Sequence, residues 1–367
     1  MNKTVLIAGG GTGGHLFPGI AVAQALKKKD PGLRLVFVGA GKELEKSILA
    51  DQGYEMESIK AKAFRGQGIL GRVLSLAGLP GTLLEAKRLL NRYQPDMVLA
   101  VGGYAAFALG CASRIWGVPL AVQEQNALPG LTNRMLGKLA RMVFISFKEA
   151  KDHFPSGKCR LLGNPVRLDL LAEGEKASAQ RPNREECFNV LILGGSQGAQ
   201  SINQAMVQSL DELEPYKETL NFVHQTGRSQ EQAVAQVYED KGFKAQVAGF
   251  FQNMGELYGR AHLVICRAGA GTLTELICLG RASICVPYPH AAGDHQTKNA
   301  QSLVKAGAAR IIADSELSGS QVAGTIKEMI DNPQGLDAMA ARALELARPE
   351  AAMNIAADCL ELMKGRP

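Results

Sequence analysis

The sequence predicts two α/β domains, each built on a doubly wound parallel sheet. Three observations support this prediction: apolar runs of strand length alternate with helical patterns, a glycine-rich turn follows the first run, and the same run and turn return at residue 190. The 367 residues are enough for two domains of ordinary size. We expect the two halves to face each other across a cleft, with one glycine loop on each wall.

The first glycine loop follows the opening strand. Residues 5–8 are apolar, residues 9–14 read Gly-Gly-Gly-Thr-Gly-Gly, and helical spacing resumes at Leu16. Glycines let backbone N–H groups approach a ligand, and the following helix N-terminus carries partial positive charge. The pattern therefore predicts an anion or phosphate site. Residues 190–199 repeat it in the second half.

The remaining elements continue the alternation. A charged, aperiodic stretch at residues 173–186 predicts a linker between domains at 1–172 and 187–367, and we expect the last helix to pack back on the first domain. Further strands are predicted at 33–38, 97–101, 118–122, 142–145 and 159–162, and in the second half at 190–193, 220–224, 245–248, 263–266, 283–286 and 310–312.

Charge differs between the halves. Residues 1–170 carry 23 Lys and Arg against 12 Asp and Glu, whereas residues 171–367 carry 18 against 23. A basic first half indicates an anionic partner: a membrane surface, a nucleic acid or a phosphorylated substrate. Seven scattered cysteines without a C-x-x-C pair predict free thiols in a reducing cytoplasm. No run is long enough for a membrane span, and no signal peptide is recognisable.

Residues 64–92 interleave leucines with arginines and lysines. An apolar surface surrounded by cations is typical of an interfacial element that binds anionic lipid. A core helix with basic flanks is the alternative, although five glycines and Pro80 weaken a helical interpretation.

Two other site classes are disfavoured. Gly9, Gly11 and Gly14 satisfy G-x-G-x-x-G, but a nicotinamide-binding oxidoreductase needs an acidic residue after the second strand, where residues 39–42 read Gly-Ala-Gly-Lys. A metal site is disfavoured because the histidines of the 287–296 loop have no cysteine or second acidic ligand nearby, and the chain contains no D-x-D.

Several polar residues follow predicted strands, where ligands of open α/β sheets bind. His15 begins the first helix, whose dipole favours a neutral, proton-accepting imidazole; a helix-terminal surface histidine is the alternative. Arg167 follows a strand. If a diphosphate leaves during the reaction, the guanidinium of Arg167 is the candidate to stabilise its charge. Thr272 and Glu275 form either a capping box or a site for a sugar or ribose diol, and the spacing leaves both open.

Six motifs in this order resemble the MurG family, the bacterial N-acetylglucosaminyltransferases that convert lipid I to lipid II in peptidoglycan synthesis. The motifs cover essentially the whole chain: Gly-Gly-Gly-Thr-Gly-Gly-His at 9–15, Gly-Gly-Tyr at 102–104, Glu-Gln-Asn at 124–126, Gly-Asn-Pro-Val-Arg at 163–167, Gly-Gly-Ser-Gln-Gly-Ala at 194–199 and the loop ending at Glu275.

The resemblance implies a GT-B fold, with two Rossmann-like domains facing across a cleft, and an inverting, metal-independent transfer without cofactor. The donor is UDP-N-acetylglucosamine, and the acceptor is lipid I, the undecaprenyl-pyrophosphoryl-MurNAc-pentapeptide. It implies a peripheral enzyme on the cytoplasmic face of the cell membrane that contacts an anionic membrane surface and other cell-wall synthesis proteins, and no nucleic acid.

The resemblance also implies roles for individual residues. Ser196 and Arg167 meet the diphosphate, Glu275 the ribose, Phe251 the uracil through its backbone, and Asn126 and Gln296 the sugar, with His295 the alternative to Gln296. His15 is the expected general base and Glu124 its alternative. The implied binding residues are Thr12, Gly13, Gly14, Asn126, Arg167, Ser196, Phe251, Ala270, Gly271, Thr272, Leu273, Thr274, Glu275 and Gln296.

Other functions remain open at this point. A non-catalytic UDP-sugar-binding protein, another lipid-directed glycosyltransferase and a UDP-N-acetylglucosamine epimerase could share much of this fold. A nicotinamide oxidoreductase remains the disfavoured alternative.

Overall fold

The computed structural model describes residues 3–10, 13–59, 79–195 and 198–364. The chain forms two compact units: unit 1 contains residues 1–167 and 348–367, and unit 2 contains residues 168–347. Among the described residues, no helix combines the length and apolarity that crossing a bilayer requires. The seven cysteines are free thiols.

Unit 1 is built on a seven-stranded parallel sheet in the order β3-β2-β1-β4-β5-β6-β7. In the register, Val5 lies opposite Leu35 on one side and Met97 on the other. Because strand order reverses between β1 and β4, the carboxyl ends of these strands border the crevice where such sheets bind ligands. The strands are β1 (Thr4–Gly9), β2 (Arg34–Gly39), β3 (Glu55–Ser58), β4 (Met97–Gly102), β5 (Leu120–Glu124), β6 (Met142–Ile145) and β7 (Cys159–Leu161).

Helices cover both faces of this sheet. Alternate residues of β1 enter separate cores, Leu6 with helices α3 and α4 and Ile7 with helix α1, as expected for a doubly wound sheet. The chain returns to unit 1 at its end, where α14 packs on α1 through Ile355 and Cys359. The helices are α1 (Gly13–Lys29), α2 (Glu43–Asp51), α3 (Leu79–Tyr93), α4 (Tyr104–Ile115), α5 (Leu131–Leu139) and α14 (Ala351–Lys364).

Unit 2 repeats the architecture with a six-stranded parallel sheet in the order β10-β9-β8-β11-β12-β13. All six strands lie where the sequence predicts them, which confirms a second doubly wound sheet. They are β8 (Phe188–Leu193), β9 (Leu220–Gln225), β10 (Lys244–Ala248), β11 (Leu263–Cys266), β12 (Ala282–Cys285) and β13 (Arg310–Ile311).

The core of unit 2 forms where α7 and α12 pack on the sheet around Met206, Phe222 and Ile326. On another part of the unit, α6 packs against α9. The helices are α6 (Leu168–Ser178), α7 (Gln200–Leu213), α8 (Glu231–Asp240), α9 (Met254–Arg260), α10 (Ala270–Cys278), α11 (His295–Lys305), α12 (Gly319–Asp331) and α13 (Pro333–Leu346).

The segment predicted as a linker differs in the structure. Residues 173–178 belong to α6, whose buried Leu170, Leu171 and Ala177 supply an apolar side that the polar composition conceals. Further on, Nη1 and Nη2 of Arg184 donate to the two carboxylate oxygens of Asp337 at 2.7 and 2.8 Å. The segment is therefore fixed to unit 2.

The basic, leucine-rich stretch lies partly outside the described residues, since the structure describes nothing at 60–78. The described part is helix α3, which includes Pro80 in its first turn, where proline is tolerated. Leu89, Leu90 and Tyr93 enter the core and Leu83 packs against it, as in the core-helix alternative, whereas Leu84 is 57% exposed. Helix α3 thus packs one side against the core and also carries an exposed leucine.

Candidate active site

His15 lies in the first turn of α1, beside the crevice between β1 and β4. Its Nδ1 is 3.3 Å from the carbonyl oxygen of Gly10. Because a carbonyl oxygen only accepts hydrogen bonds, Nδ1 carries the proton in this contact, and the lone pair is on Nε2. The ring lies against Gly102, where an added Cβ would be 2.8 Å from Nε2 and where φ is +136°. Glycine is therefore required at 102 by both space and backbone conformation.

A carboxylate lies beneath this first loop although sequence analysis finds no acidic residue directly after β2. Glu45, on α2, turns back so that its Oε2 accepts hydrogen bonds from the N–H groups of Ala40 and Gly41 at 3.1 Å. An added Cβ on Gly10 would be 2.8 Å from its Oε1. Its backbone contacts make Glu45 the cap of the turn after β2.

Glu124 ends β5 and is 1% exposed. Its Oε1 accepts from the backbone N–H of Asn126 at 2.9 Å and from the side-chain amide at 3.1 Å. Its Oε2 accepts from the amide of Asn133 at 2.9 Å and from the N–H of Gly130 at 3.3 Å. Burial raises the pKa of Glu124, and these four donors oppose the rise by stabilising the charged form. The carboxylate holds Asn126 and the start of α5 in place.

The other predicted residues of unit 1 lie at the same edge or outside the described residues. Gly13 and Gly14 are the first two residues of α1, and Thr12 lies outside the described residues. Arg167 is half-buried and its guanidinium lies 5.6 Å from the centre of the Phe17 ring. Since β1, β4 and β5 are neighbours, the structure brings the ends carrying His15 and Asn126 to one side of the sheet.

The second glycine loop follows β8 in unit 2. Ser196 lies outside the described residues, but the flanking glycines are described. Gly198 has φ +77°, and an added Cβ would be 2.2 Å from the carbonyl oxygen of Thr226. Gln225 links this loop to the next one, because its amide donates to Gly195 O at 3.1 Å and accepts from the N–H of Phe251 at 3.0 Å. The backbone of Phe251 is thus fixed beside the loop.

The residues from Ala270 to Glu275 form the first turns of α10, directly after β11. The capping-box alternative for Thr272 and Glu275 is wrong: the N-cap is Gly269, and Thr272 is the third residue of the helix. The Oε2 of Glu275 accepts a hydrogen bond of 2.9 Å from the hydroxyl of Tyr258 rather than capping the helix. Gly271, Leu273 and Thr274 complete the turn, with the Thr274 hydroxyl bonded to Ala270 O.

Arg267 organises the loop that precedes α11. Its guanidinium donates to the carbonyl oxygens of Val286 and Pro287 at 3.2 Å, to Ser201 at 2.8 Å and to Asp314, with which it forms a largely buried ion pair. These contacts join the ends of β11 and β12 to α7.

The choice between His295 and Gln296 depends on how each side chain is held. The Nδ1 of His295 lies 2.8 Å from Ala292 O in its own turn. The Oε1 of Gln296 accepts from the N–H of Tyr288 at 2.9 Å, which leaves Nε2 as the group that can donate to a sugar hydroxyl. Since His295 also keeps its Nε2, these contacts leave both side chains as candidates.

Four positioning residues were missed by sequence reasoning: Asn133, Gln225, Tyr258 and Arg267. Each of these residues either contacts a partner that is distant in sequence or lies inside an apolar pattern of the sequence. Gln225 and Arg267, each directly after a predicted strand, had a recognisable signal. In the described ranges, no three His, Cys, Asp or Glu side chains are grouped to hold a metal ion.

Comparison with known proteins adds independent information. A family model described as the glycosyltransferase family 28 N-terminal domain matches residues 5–145, and one described as its C-terminal domain matches residues 189–355. A protein of Myxococcus xanthus named UDP-N-acetylglucosamine–N-acetylmuramyl-(pentapeptide) pyrophosphoryl-undecaprenol N-acetylglucosamine transferase is 46% identical over 98% of this chain and 93% of its own length.

Solved structures agree in fold. The crystal structure of MurG from Acinetobacter baumannii matches with a TM-score of 0.78 and 31% identity, covering 98% of this chain and 99% of that one. A UDP-N-acetylglucosamine 2-epimerase from Neisseria meningitidis matches with a TM-score of 0.68 over 98% of this chain and 100% of that one. At 15% identity, the second match concerns the fold alone.

Proposed function

The chain belongs to the family of UDP-N-acetylglucosamine–N-acetylmuramyl-(pentapeptide) pyrophosphoryl-undecaprenol N-acetylglucosamine transferases, and from this premise we propose that it transfers N-acetylglucosamine to the MurNAc 4-hydroxyl of lipid I. The product is lipid II, a precursor of peptidoglycan. The observation that carries the proposal is the presence in one chain of both glycosyltransferase domains, each with a glycine loop after its first strand. The two doubly wound units fit the GT-B fold.

Unit 2 binds the nucleotide part of the donor in this proposal. Glu275 accepts hydrogen bonds from the ribose hydroxyls, and the carbonyl of Phe251 accepts from N3–H of uracil. The loop containing Ser196 and the start of α10 offer N–H groups to the diphosphate, with Thr272 nearby. The amide of Gln296 meets the sugar. The contacts of Gln225 and Tyr258 support these roles because they fix the groups before the ligand arrives.

His15 is the general base in our proposal. The acceptor's 4-hydroxyl gives its proton to Nε2 of His15 as its oxygen attacks C1 of N-acetylglucosamine, and the bond from C1 to the diphosphate oxygen breaks with its electron pair leaving on UDP. Attack opposite the leaving group inverts C1. Arg167 and backbone N–H groups stabilise the departing charge. Support comes from the contact with Gly10, which fixes the proton on Nδ1.

Glu124 takes a positioning role in this scheme. All four of its hydrogen bonds come from N–H groups of the protein, and it is nearly inaccessible. Its orientation of Asn126, which we propose to bind the sugar, explains why a carboxylate is needed here. Gly13 and Gly14, with Thr12, form the loop on the acceptor side.

We propose further that unit 1 rests on an anionic membrane surface at the cytoplasmic face. Leu84 is 57% exposed, Ile115 64% and Trp116 39%, and the ammonium of Lys87 lies 5.2 Å from the Trp116 ring centre. Apolar side chains among cations suit a lipid interface, where hydrocarbon burial and charge attraction act together. The excess positive charge of residues 1–170 supports the same orientation.

The decisive experiment offers the purified protein UDP-N-acetylglucosamine with and without a lipid I analogue and follows UDP release. We expect release only with the acceptor, together with a disaccharide product. Release of UDP without acceptor, isomerisation of the sugar nucleotide, or binding with no turnover would each contradict the proposal and indicate, respectively, a hydrolase, an epimerase or a binding protein.

A further inference from the structure

Tyr258 is a fully buried tyrosine whose hydroxyl is aimed at one carboxylate. It lies on α9 and is 2% exposed, and its hydroxyl donates to Oε2 of Glu275 on α10 at 2.9 Å. The same hydroxyl also interacts with the side chain of Thr272, one turn earlier on α10. Both partners belong to the turn that we propose to hold the nucleotide, although the sequence places Tyr258 in an ordinary apolar pattern.

The backbone around Tyr258 leaves it little freedom. Helix α9 approaches α6 so closely that an added Cβ at Gly255 would be 2.6 Å from Leu170 O, and one at Gly259 would be 2.4 Å from Gly174 O. Two glycines on the same short helix therefore allow backbone-to-backbone contact on either side of Tyr258. Because the backbone is held this closely and the ring is buried, the hydroxyl has little freedom to move.

The hydroxyl stays a donor across the working pH range. Burial raises the pKa of Tyr258 well above its ordinary value, and the neighbouring charge of Glu275 raises it further. A carboxylate has about four acceptor positions, and a donor on Oε2 restricts rotation of the group. The orientation of Oε1 is then set before a ligand binds.

We propose that Tyr258 is a positioning residue for the donor's ribose, acting by orienting the Glu275 carboxylate toward the 2′- and 3′-hydroxyls. The inference rests on the proposed role of Glu275 and adds a residue that determines nucleotide affinity without touching the nucleotide. Without the phenol hydroxyl, Glu275 loses a hydrogen bond that restricts the rotation of its carboxylate, so the ribose contact weakens.

The test compares two ligands on three proteins. Dissociation constants for UDP and for 2′,3′-dideoxy-UDP, which lacks both ribose hydroxyls, are measured by calorimetry on the unsubstituted protein, Tyr258→Phe and Tyr238→Phe. Tyr238 is a matched control because it is also fully buried in unit 2 and its hydroxyl contacts His224, 3.1 Å away. Thermal unfolding verifies that each variant is folded.

We expect Tyr258→Phe to weaken UDP binding about tenfold and dideoxy-UDP binding less than about twofold, while Tyr238→Phe changes neither. In turnover, the KM for the donor rises and kcat is nearly unchanged. Adding Tyr258→Phe to Glu275→Gln should cause no further loss. Equal losses for both ligands, or no loss for UDP, would overturn the inference. Absent turnover by the unsubstituted protein would instead contradict the proposed function.

Discussion

At the scale of the residue, the structure separates two groups that the sequence offers as alternative bases. His15 has its Nδ1 directed at a carbonyl oxygen, so its other nitrogen can accept a proton. Glu124 has donors on both oxygens. A group that must receive a proton from a substrate needs access to it, and this favours His15.

Replacement of His15 by alanine should lower kcat about 10²- to 10⁴-fold, the usual contribution of general base catalysis. UDP affinity should be unchanged because the imidazole acts on the acceptor. The measurement is single-turnover product formation together with a UDP titration. His153→Ala is the matched control, since His153 lies in unit 1 on a separate turn at Lys148–His153. Near-normal chemistry in His15→Ala would remove His15 from the mechanism.

Two buried histidines of unit 2 make stability depend on pH. Burial lowers the pKa of His224 to about 3 and that of His262 to about 4. Nδ1 of His262 accepts from the N–H of Asn189 at 2.9 Å, a contact that requires the neutral ring, whereas Nε2 donates to Pro182 O at 3.1 Å in either protonation state. Protonation therefore favours the unfolded chain.

Because these folded-state pKa values lie below the unfolded value near 6.5, the contribution to stability is complete above that pH. It is lost as the pH falls toward 4 and then 3. Each neutral histidine should contribute a slope of about 1.4 kcal/mol per pH unit. Urea unfolding at several pH values measures this slope, and His262→Gln should reduce it. An unchanged slope in that variant would show that His262 is not the titrating group.

At the scale of the element, the second glycine loop is defined by close backbone contacts. Gly198 combines a left-handed conformation with a position 2.2 Å from Thr226 O for any added Cβ. The β9 carboxyl end and the loop therefore fit together only without a side chain. The N–H groups that we propose for the diphosphate depend on this fit.

Gly198→Ala should destabilise unit 2 by about 1–3 kcal/mol, through strain and the clash with Thr226. It should weaken UDP binding by at least about tenfold, because N–H donors are displaced. Gly324→Ala is the control: Gly324 lies in α12, an added Cβ meets nothing within 4 Å, and the change should be neutral or slightly stabilising. Chemical unfolding and calorimetry report the two effects. Tight UDP binding by Gly198→Ala would show that the loop does not hold the diphosphate.

At the scale of the whole molecule, positive charge and exposed apolar side chains occur together in unit 1. The described part of α3 contributes Leu84, and the end of α4 contributes Ile115, followed by Trp116. The acidic half of the sequence, residues 171–367, lies mostly in unit 2. A charged membrane would therefore attract the two units unequally.

The double variant Leu84→Ser and Ile115→Ser should bind anionic vesicles at least about tenfold more weakly, since each exposed side chain contributes on the order of 1 kcal/mol at the interface. Turnover with a soluble acceptor should be unaffected. Leu346→Ser is the control, because this leucine is 39% exposed but belongs to unit 2. Vesicle sedimentation measures binding, and equal partitioning of all three proteins would refute the membrane contact.

The sequence was most informative where burial dominates. The six strands of unit 2 and the two glycine turns follow from apolar runs and glycine clusters, patterns that are typical of buried parallel strands and of tight loops. It missed β3, Glu55–Ser58, because this edge strand is short, polar and only half-buried. The end of α6 was predicted to be part of a linker, since a helical segment with few apolar residues has the composition of a linker.

Some site residues could likewise be predicted from the sequence and others could not. His15, Asn126 and Glu275 could be selected because they follow strands, and the structure places each at a strand's carboxyl end or on the helix that follows. Tyr258 could not be selected, because its importance depends on a partner 17 residues away. Gln225 follows a predicted strand, but its contact with Phe251, 26 residues away, is visible only in the structure. The capping-box alternative failed because helix α10 begins at Ala270, whereas a cap at Thr272 would require the helix to begin at Leu273.

Helix α14 gives the chain an unusual order of assembly. On the ribosome, residues 168–347 are all synthesised before Ile355 and Cys359, which complete the hydrophobic layer over α1. The unit whose synthesis begins first is therefore completed last, and the apolar strip over α1 stays uncovered while unit 2 folds. A released chain truncated after residue 347 should consequently be protease-resistant in its second unit and more sensitive than the full chain in its first.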